Sequence, residues 1–131
     1  MGNTVSLSVK LNVAGGPSLS VSKSIEAEAY DKINVTVEAG TTQPVEIQPG
    51  ETGQIQLLLI KSSRYSEDLT YKVHDTDSTS ITLDEPQIYM GSGSVKLLGS
   101  KIDKLLVSNG MSDDAEIEIF VCRDATPSNS N

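Results

Sequence analysis

Apolar and polar residues alternate along most of this chain, and a period of two is typical of β-strands. The alternation has no fault in the first segment, where polar residues separate Val5, Leu7, Val9, Leu11 and Val13. This segment predicts a strand with one face toward a core and the other toward water. Similar alternation recurs in residues 33–37, 45–47, 69–73, 81–83 and 115–122. It also recurs in residues 19–29, where a skip at Lys23 and Ser24 leaves either one long strand or two halves joined by a bulge.

Residues 57–60 depart from this pattern, because they are apolar without interruption. A continuous apolar run predicts a strand that is covered on both faces, so we expect residues 54–61 near the middle of a sandwich. If Leu57 and its alternate neighbours fill the core, Leu58 and Ile60 lie on the opposite face.

Turn-forming residues divide the chain into short strands. Clusters of such residues lie at 14–17, 49–53 and 91–94. Each cluster predicts a turn or a loop. We also expect a turn at residues 30–32, which makes residues 25–37 a hairpin, and a strand at residues 95–98. No long window has the apolar spacing of an amphipathic helix.

The number and spacing of these segments predict an all-β protein. About eight to ten short strands in a chain of this length are typical of a single-domain antiparallel β-sandwich. A jelly roll fits the strand count. An immunoglobulin-like sandwich is the alternative, and the absence of Trp and of a second Cys counts against it.

The chain of 131 residues has room for one hydrophobic core. We expect residues 1–125 to form the sandwich domain and residues 126–131 to form a flexible polar tail, because the tail has nothing to bury. No apolar stretch approaches the roughly 20 residues that cross a bilayer, and no signal-peptide pattern opens the chain. The sequence therefore predicts a soluble protein without a membrane partner, either cytoplasmic or virion-associated.

The net charge of -8, from 10 basic and 18 acidic residues, opposes binding to a phosphate backbone. The Lys and Arg residues are scattered singly and form no basic cluster. We therefore expect no nucleic-acid partner, and we attribute the acidity to solubility.

Residues that usually carry catalysis are scarce. The one histidine, His74, precedes Asp75 in a polar loop, where a base has no apolar wall to shift its pKa. Asp75 and Asp77 resemble the start of a calcium-binding loop. Ser80 nevertheless occupies the position that needs Gly, and Pro86 the position that needs Glu. The two aspartates are weak metal candidates, and we expect no bound metal, no cofactor, no catalytic residue and no enzyme activity.

Two further positions have a functional and a structural interpretation. Cys122 follows Val121 at the end of the last strand, where a buried thiol is the expected state. Residues 1–6 match the N-myristoylation pattern, with Gly2 available after removal of Met1. No basic cluster follows to support a single acyl chain, so the pattern leaves acylation of Gly2 open.

The main functional prediction depends on apolar residues that lie on strand faces expected to be exposed to solvent. They lie on three strands, at Leu58, Ile60, Leu106 and Phe120. If these strands share a sheet, the side chains form an apolar patch that monomers seldom expose. We therefore predict a non-enzymatic structural or assembly protein, which forms a homo-oligomer or joins a larger assembly such as a viral or phage-like particle. A small loop or bulge that covers the patch is the alternative.

A carbohydrate- or ligand-binding module is the second functional hypothesis. Tyrosine rings in loops can stack on a sugar while their hydroxyl groups bind polar atoms. Tyr65, Tyr71 and Tyr89 are the candidates for such a loop. This hypothesis predicts a monomer with exposed tyrosine in a cleft, whereas the assembly hypothesis predicts an oligomer without ligand.

Overall fold

The computed structural model describes residues 3–47, 55–74, 79–99 and 102–123. These residues form ten β-strands, one short α-helix and one 3₁₀ turn. The strands are β1 (Asn3–Asn12), β2 (Ser18–Ala27), β3 (Ala29–Val37), β4 (Thr42–Glu46), β5 (Ile55–Ser62), β6 (Leu69–Val73), β7 (Ile81–Thr82), β8 (Gln87–Met90), β9 (Lys104–Asn109) and β10 (Ala115–Arg123). Helix α1 spans Ser92–Val95, and the 3₁₀ turn spans Lys96–Leu98. The predicted tail at residues 126–131 and the myristoylation candidate Gly2 lie outside the described residues.

Eight strands form two antiparallel four-stranded sheets that pack against each other, so the predicted all-β sandwich is confirmed. The front sheet has the order β3-β10-β5-β8, and the back sheet has the order β4-β9-β6-β7. Most connections lead from one sheet to the other, and β3 and β10 are neighbours although they are far apart in the chain. Strands β1 and β2 form a separate antiparallel hairpin.

The main core lies between the two sheets and uses alternate residues of their strands. On β10, Ile117, Ile119 and Val121 are fully buried, whereas Glu116 is exposed and Glu118 is partly exposed. The back sheet contributes Leu69, Tyr71, Val73, Leu105 and Val107. On these strands, the alternation that predicts the element also predicts its buried face, because successive side chains point to opposite sides of a sheet.

The central strand β5 contains a bulge that uniform alternation does not predict. Its register with β10 shifts between Ile55 and Leu57, so Gln56 is an extra residue. Ile55 consequently shares the core face with Leu58 and Ile60, and all three side chains are buried between the sheets.

The sequence-based assignment of the two faces of β5 is therefore wrong. Leu58 and Ile60 fill the core, and Leu57 and Leu59 lie on the outer face of the front sheet. A run of four apolar residues contains no polar position that sets the phase of the alternation. The phase depends instead on the pairing of β5 with β10 and β8.

Two other elements differ from the prediction. The hairpin expected at residues 25–37 is wrong, because β2 continues into β3 with only Glu28 between them and β3 pairs with β10. Residues 30–32 keep the strand alternation and contain neither Gly nor Pro, so they extend β3. The strand expected at residues 95–98 is helical, and this segment buries only Val95.

The hairpin of β1 and β2 turns at residues 13–17, where Gly and Pro end β1 as predicted. The Gly16 N–H donates to the Val13 carbonyl at 2.8 Å, and the Val13 N–H donates to the Pro17 carbonyl at 2.9 Å. Gly15 has a φ of 72°, in the left-handed region that this kind of turn assigns to glycine. The two strands consequently pair over their full length of ten residues each.

Candidate functional site

The hairpin of residues 3–27 stands apart from the sandwich, and we call it the arm. Every residue from Ser8 to Ser24 is exposed, so this distal half projects into solvent. The near half, residues 3–7 and 25–27, contains the two buried side chains of the hairpin, Ile25 and Ala27.

One face of the arm is apolar apart from Lys23. Val9 lies opposite Val21, and Leu11 lies opposite Leu19, so the apolar side chains of both strands share that face. Five large apolar side chains of the distal half are between 39% and 66% exposed, namely Val9, Leu11, Val13, Leu19 and Val21. Contiguous groups of this kind are rare on monomers and mark interaction sites.

The opposite face of the arm is polar. The hydroxyl groups of Ser8 and Ser22 lie 3.5 Å apart across the strands, and Thr4 Oγ1 donates to Glu26 Oε2 at 3.0 Å. The arm is therefore a ribbon with one face suited to water and one face suited to an apolar surface.

The near half of the arm packs on the outer face of the front sheet. Ile25 and Ala27 are buried there with Leu57 and Cys122. Four partly buried side chains complete this cluster, namely Val5, Leu7, Met90 and Phe120. The predicted burial of Cys122 is confirmed, although it packs in this outer cluster. Burial raises the pKa of the Cys122 thiol, which disfavours the reactive thiolate.

The outer face of the front sheet is apolar beside the arm and polar farther away. The register of its four strands aligns the side chains in rows. The first row contains Tyr30, Cys122, Leu57 and Met90. The second row, which we call the outer row, contains Lys32, Phe120, Leu59 and Ile88. The third row contains the polar residues Asn34, Glu118 and Lys61.

The arm buries the middle of the first row but leaves apolar side chains of the outer row partly open. Ile88 is 40% exposed, and Leu59 and Phe120 are partly exposed. Tyr30, which is 51% exposed, stacks on Phe120 with ring centroids 5.5 Å apart. An apolar strip therefore remains open on the sandwich near the base of the arm.

The four residues predicted to form an interface are not brought together. Leu58 and Ile60 are buried between the sheets, where no partner reaches them in the folded chain. Leu106 is partly exposed on the outer face of the back sheet, since its neighbours on β9 face the core. Phe120 lies on the outer face of the front sheet and is the one of the four that packs near the arm.

The three tyrosines predicted for a ligand loop form hydrogen bonds within the protein. Tyr71 is buried in the core, and its hydroxyl donates to Gln87 Oε1 and lies 2.9 Å from that of Tyr89. Burial, together with Tyr89, raises the pKa of Tyr71 far above its ordinary range. The Tyr65 hydroxyl accepts a hydrogen bond from the Ser62 N–H at 3.0 Å. The exposed tyrosine of the described residues is instead Tyr30, which the sequence analysis assigned to a turn.

The candidate metal residues Asp75 and Asp77 lie outside the described residues. Within residues 3–47, 55–74, 79–99 and 102–123, no group of three His, Cys, Asp or Glu side chains could hold a metal ion. His74 Nδ1 lies 2.7 Å from Asp103 Oδ1, and the His74 N–H donates to the Lys104 carbonyl at 2.9 Å. These contacts hold the residue after β6 next to the start of β9. No helix in the described part of the chain is long and apolar enough to cross a membrane.

A cleft of about 360 Å³ lies between the arm and the sandwich. It is lined by Lys23, Ser24, Ile25, Glu26, Gln56, Met90 and Gly91. Gln56 Oε1 is buried and has no hydrogen-bond partner among the described residues. The bulge of β5 places this carbonyl group beside the cleft.

The sequence matches no protein-family model, and no curated protein resembles it at a significant level. The geometry of the described residues is therefore the basis for inferring a function. That geometry points to the arm, which the sequence analysis identified as a strand but not as a site. The available signal was alternation on both sides of a Gly-Gly-Pro turn, which is a hairpin pattern. The alternation is faultless in residues 5–13 and is interrupted at Lys23 in residues 19–27.

Proposed function

We propose that this protein is a non-enzymatic assembly protein that associates with copies of itself through the apolar face of its arm. The exposure of five large apolar side chains on one face of the distal half carries this proposal. An exposed ribbon of this kind gains stability when an apolar surface covers it. The polar face of the ribbon stays in water while the apolar face is covered.

The apolar face of the arm supplies part of the free energy of association. Complete burial of a Val or Leu side chain is worth roughly 1.5 to 3 kcal/mol, and about half of each of these five side chains is exposed. Covering one arm therefore contributes about 5 kcal/mol, and the apolar surface of the partner that covers it contributes a further share. An assembly that covers two or more arms is correspondingly more stable.

The distribution of charge also favours the arm as the contact element. Residues 3–27 contain Lys10, Lys23 and Glu26, which give a net charge of +1. The whole chain carries -8, so the rest of the chain carries -9. Two copies repel each other through their acidic bodies, whereas the arm of one copy is attracted to the body of another.

The order of the strands supports the jelly-roll interpretation of the sandwich. A jelly roll has eight strands in two Greek keys, so that consecutive strands change sheets and the first and last strands are neighbours. From β3 to β10, the connections between the described strands change sheets except for β6 to β7, and β3 and β10 are neighbours. Jelly rolls occur in viral capsids and in lectins, so we include a particle-associated or cytoplasmic location in the proposal as an analogy at the level of fold.

Light scattering tests the proposal. We expect wild-type protein at micromolar concentration to have the mass of an oligomer and Leu11→Thr/Leu19→Thr to have a lower mass. Thr retains a high strand propensity, so the pair should remain a hairpin. The matched control is Ser8→Thr/Ser22→Thr on the polar face, which should keep the mass of the wild type. A monomeric wild type would contradict the proposal.

Ligand binding is the second candidate function, and the cleft beside the arm is the observation that favours it. The unpaired carbonyl of Gln56 would accept a hydrogen bond from a small ligand with an N–H or O–H group. A thermal-shift screen of wild type and Gln56→Ala tests this function. A ligand that raises the melting temperature of the wild type alone would support it.

A further inference from the structure

The apolar face of the arm already packs on the front sheet within one chain. Ile25 and Ala27 of the near half are buried against Leu57 and Cys122 of the first row. Beyond Lys23, the distal half continues the same face with Val and Leu residues on both strands. The two halves therefore have the same type of apolar surface. The near half shows that this surface packs well on the outer face of the front sheet.

The outer row is an uncovered piece of the same sheet face. Its Phe120 and Leu59 are adjacent to the buried first row and remain partly exposed, and Ile88 is 40% exposed. Beyond it, Glu118 and Lys61 form an ion pair of 3.8 Å in the polar third row. The strip thus has an apolar centre and a polar rim, which is the anatomy of a protein interface.

Charge favours the sheet of another copy over its arm as the receiving surface. Lys23 lies on the apolar face of the arm, between Val21 and Ile25. Arm-to-arm packing brings two elements of net charge +1 together, whereas arm-to-sheet packing places one of them on a body whose net charge is -9. Within the outer row itself the charged residue is Lys32, at the end away from Ile88.

We propose that the distal half of the arm of one copy packs on the outer row of the front sheet of a second copy. This inference rests on the proposed self-association and names the receiving surface. Each copy then has one donor surface, the arm, and one acceptor surface, the outer row. The two surfaces differ, so the contact is reciprocated within a dimer, repeated around a ring or repeated along an open filament.

Single-surface variants test the pairing of donor and acceptor. The acceptor variant is Ile88→Lys, at an exposed position of the edge strand β8. Its matched control is Thr36→Lys, which adds the same charge at an exposed position of the same sheet face outside the outer row. We expect Ile88→Lys to reduce the mass to that of a monomer and Thr36→Lys to keep the mass of the wild type. Circular dichroism checks that both variants fold.

Mixing the two defective variants then completes the test. Leu11→Thr/Leu19→Thr keeps an intact outer row, and Ile88→Lys keeps an intact arm. We expect the mixture to form heterodimers at concentrations where each variant alone is monomeric. Sedimentation velocity measures this difference. Absence of a mixed complex between folded variants overturns the inference.

Disulfide trapping gives a second test, in which both the arm and the outer row keep their apolar character. We expect a mixture of Leu19→Cys and Ile88→Cys to yield a covalent mixed dimer after mild oxidation, and a mixture of Ser22→Cys and Ile88→Cys to yield none. The native Cys122 is buried and stays outside the reaction.

The outcomes separate this inference from the function on which it rests. A monomeric wild type overturns both. An oligomer that loses mass with the arm variant but keeps it with Ile88→Lys overturns only the assignment of the outer row. A covalent dimer formed by Leu19→Cys alone shows arm-to-arm packing and also overturns that assignment.

Discussion

Residues of one type have different roles in this protein because different elements cover them. Tyr71 is buried between the sheets, and its hydroxyl links β6 to β8 through Gln87 and Tyr89. Tyr30 is 51% exposed on the outer face of the front sheet and stacks on Phe120. Tyr71 therefore stabilises the core, whereas Tyr30 borders the surface proposed to receive the arm.

We expect the free energy of unfolding to decrease as the pH rises through about 10, in part because of Tyr71. Burial and the neighbouring Tyr89 raise the pKa of Tyr71 above its ordinary value of 10.0. Above that pH the unfolded chain loses the phenol proton while the folded chain keeps it. The contribution of this group to stability is thus complete below pH 10 and is lost at higher pH, by up to about 1.4 kcal/mol per pH unit.

Chemical denaturation of wild type and Tyr71→Phe checks this prediction. At neutral pH the variant should lose about 0.5 to 1.5 kcal/mol, since a buried hydrogen bond is removed. Above pH 10 its stability should fall less steeply than that of the wild type. The raised pKa of Cys122 acts in the same direction in both proteins, so the difference in slope isolates Tyr71. Equal slopes would contradict the prediction.

At the scale of the element, β5 is covered on both faces, as its continuous apolar run predicts. The back sheet covers Leu58 and Ile60, and the arm covers Leu57. The outer cover ends before Leu59, which remains partly exposed in the outer row. One strand therefore contributes to the core, to the base of the arm and to the proposed acceptor surface.

Neighbouring leucines of β5 should differ strongly in their contribution to stability. Leu58→Ala should cost about 2 to 5 kcal/mol, because it leaves a cavity between the sheets. Leu59→Ala should cost about 1 kcal/mol or less, because this side chain is already partly in water. Urea denaturation of both variants measures the difference. Equal costs, or a larger cost for Leu59→Ala, would mean that the faces of the strand are the reverse of those described.

At the scale of the whole molecule, the protein consists of an acidic sandwich and an arm of small positive charge. The core of the sandwich contains no residue from the distal half of the arm, since residues 8–24 are all exposed. The near half instead seals Leu57 and Cys122. Folding of the sandwich and assembly should therefore depend on different parts of the arm.

Shortening the arm tests this separation. Replacement of residues 8–22 by Asn-Gly keeps Leu7 and Ile25 and supplies a two-residue hairpin turn. We expect the stability of the shortened protein to stay within about 0.5 kcal/mol of the wild type, because no buried side chain is removed. Its mass in light scattering should be that of a monomer. Deletion of residues 1–27 is the contrasting variant, and it should lower stability because it exposes Leu57 and Cys122.

Periodicity in the sequence was sufficient for features that depend on neighbouring residues along the chain. The strict alternation around Val5–Val13 and around Ile117 identifies strands, and on β10 it also identifies the buried face. The Gly-Gly-Pro turn, the all-β class and the double cover of β5 follow from local composition in the same way. Phe120 was selected correctly as an apolar residue on an outer face.

Tertiary structure decided the features that depend on which distant segments meet. Residues 57–60 contain no polar residue to set their phase, so pairing with β10 and β8 determined that Leu58 faces the core. The pairing of β3 with β10, and not with β2, likewise depends on a partner far along the chain. The arm shows the limit most clearly, because the apolar face of one strand is buried at Ile25 and exposed at Leu19. Alternation specifies that one face is apolar, and only the arrangement of the other elements determines where that face is covered.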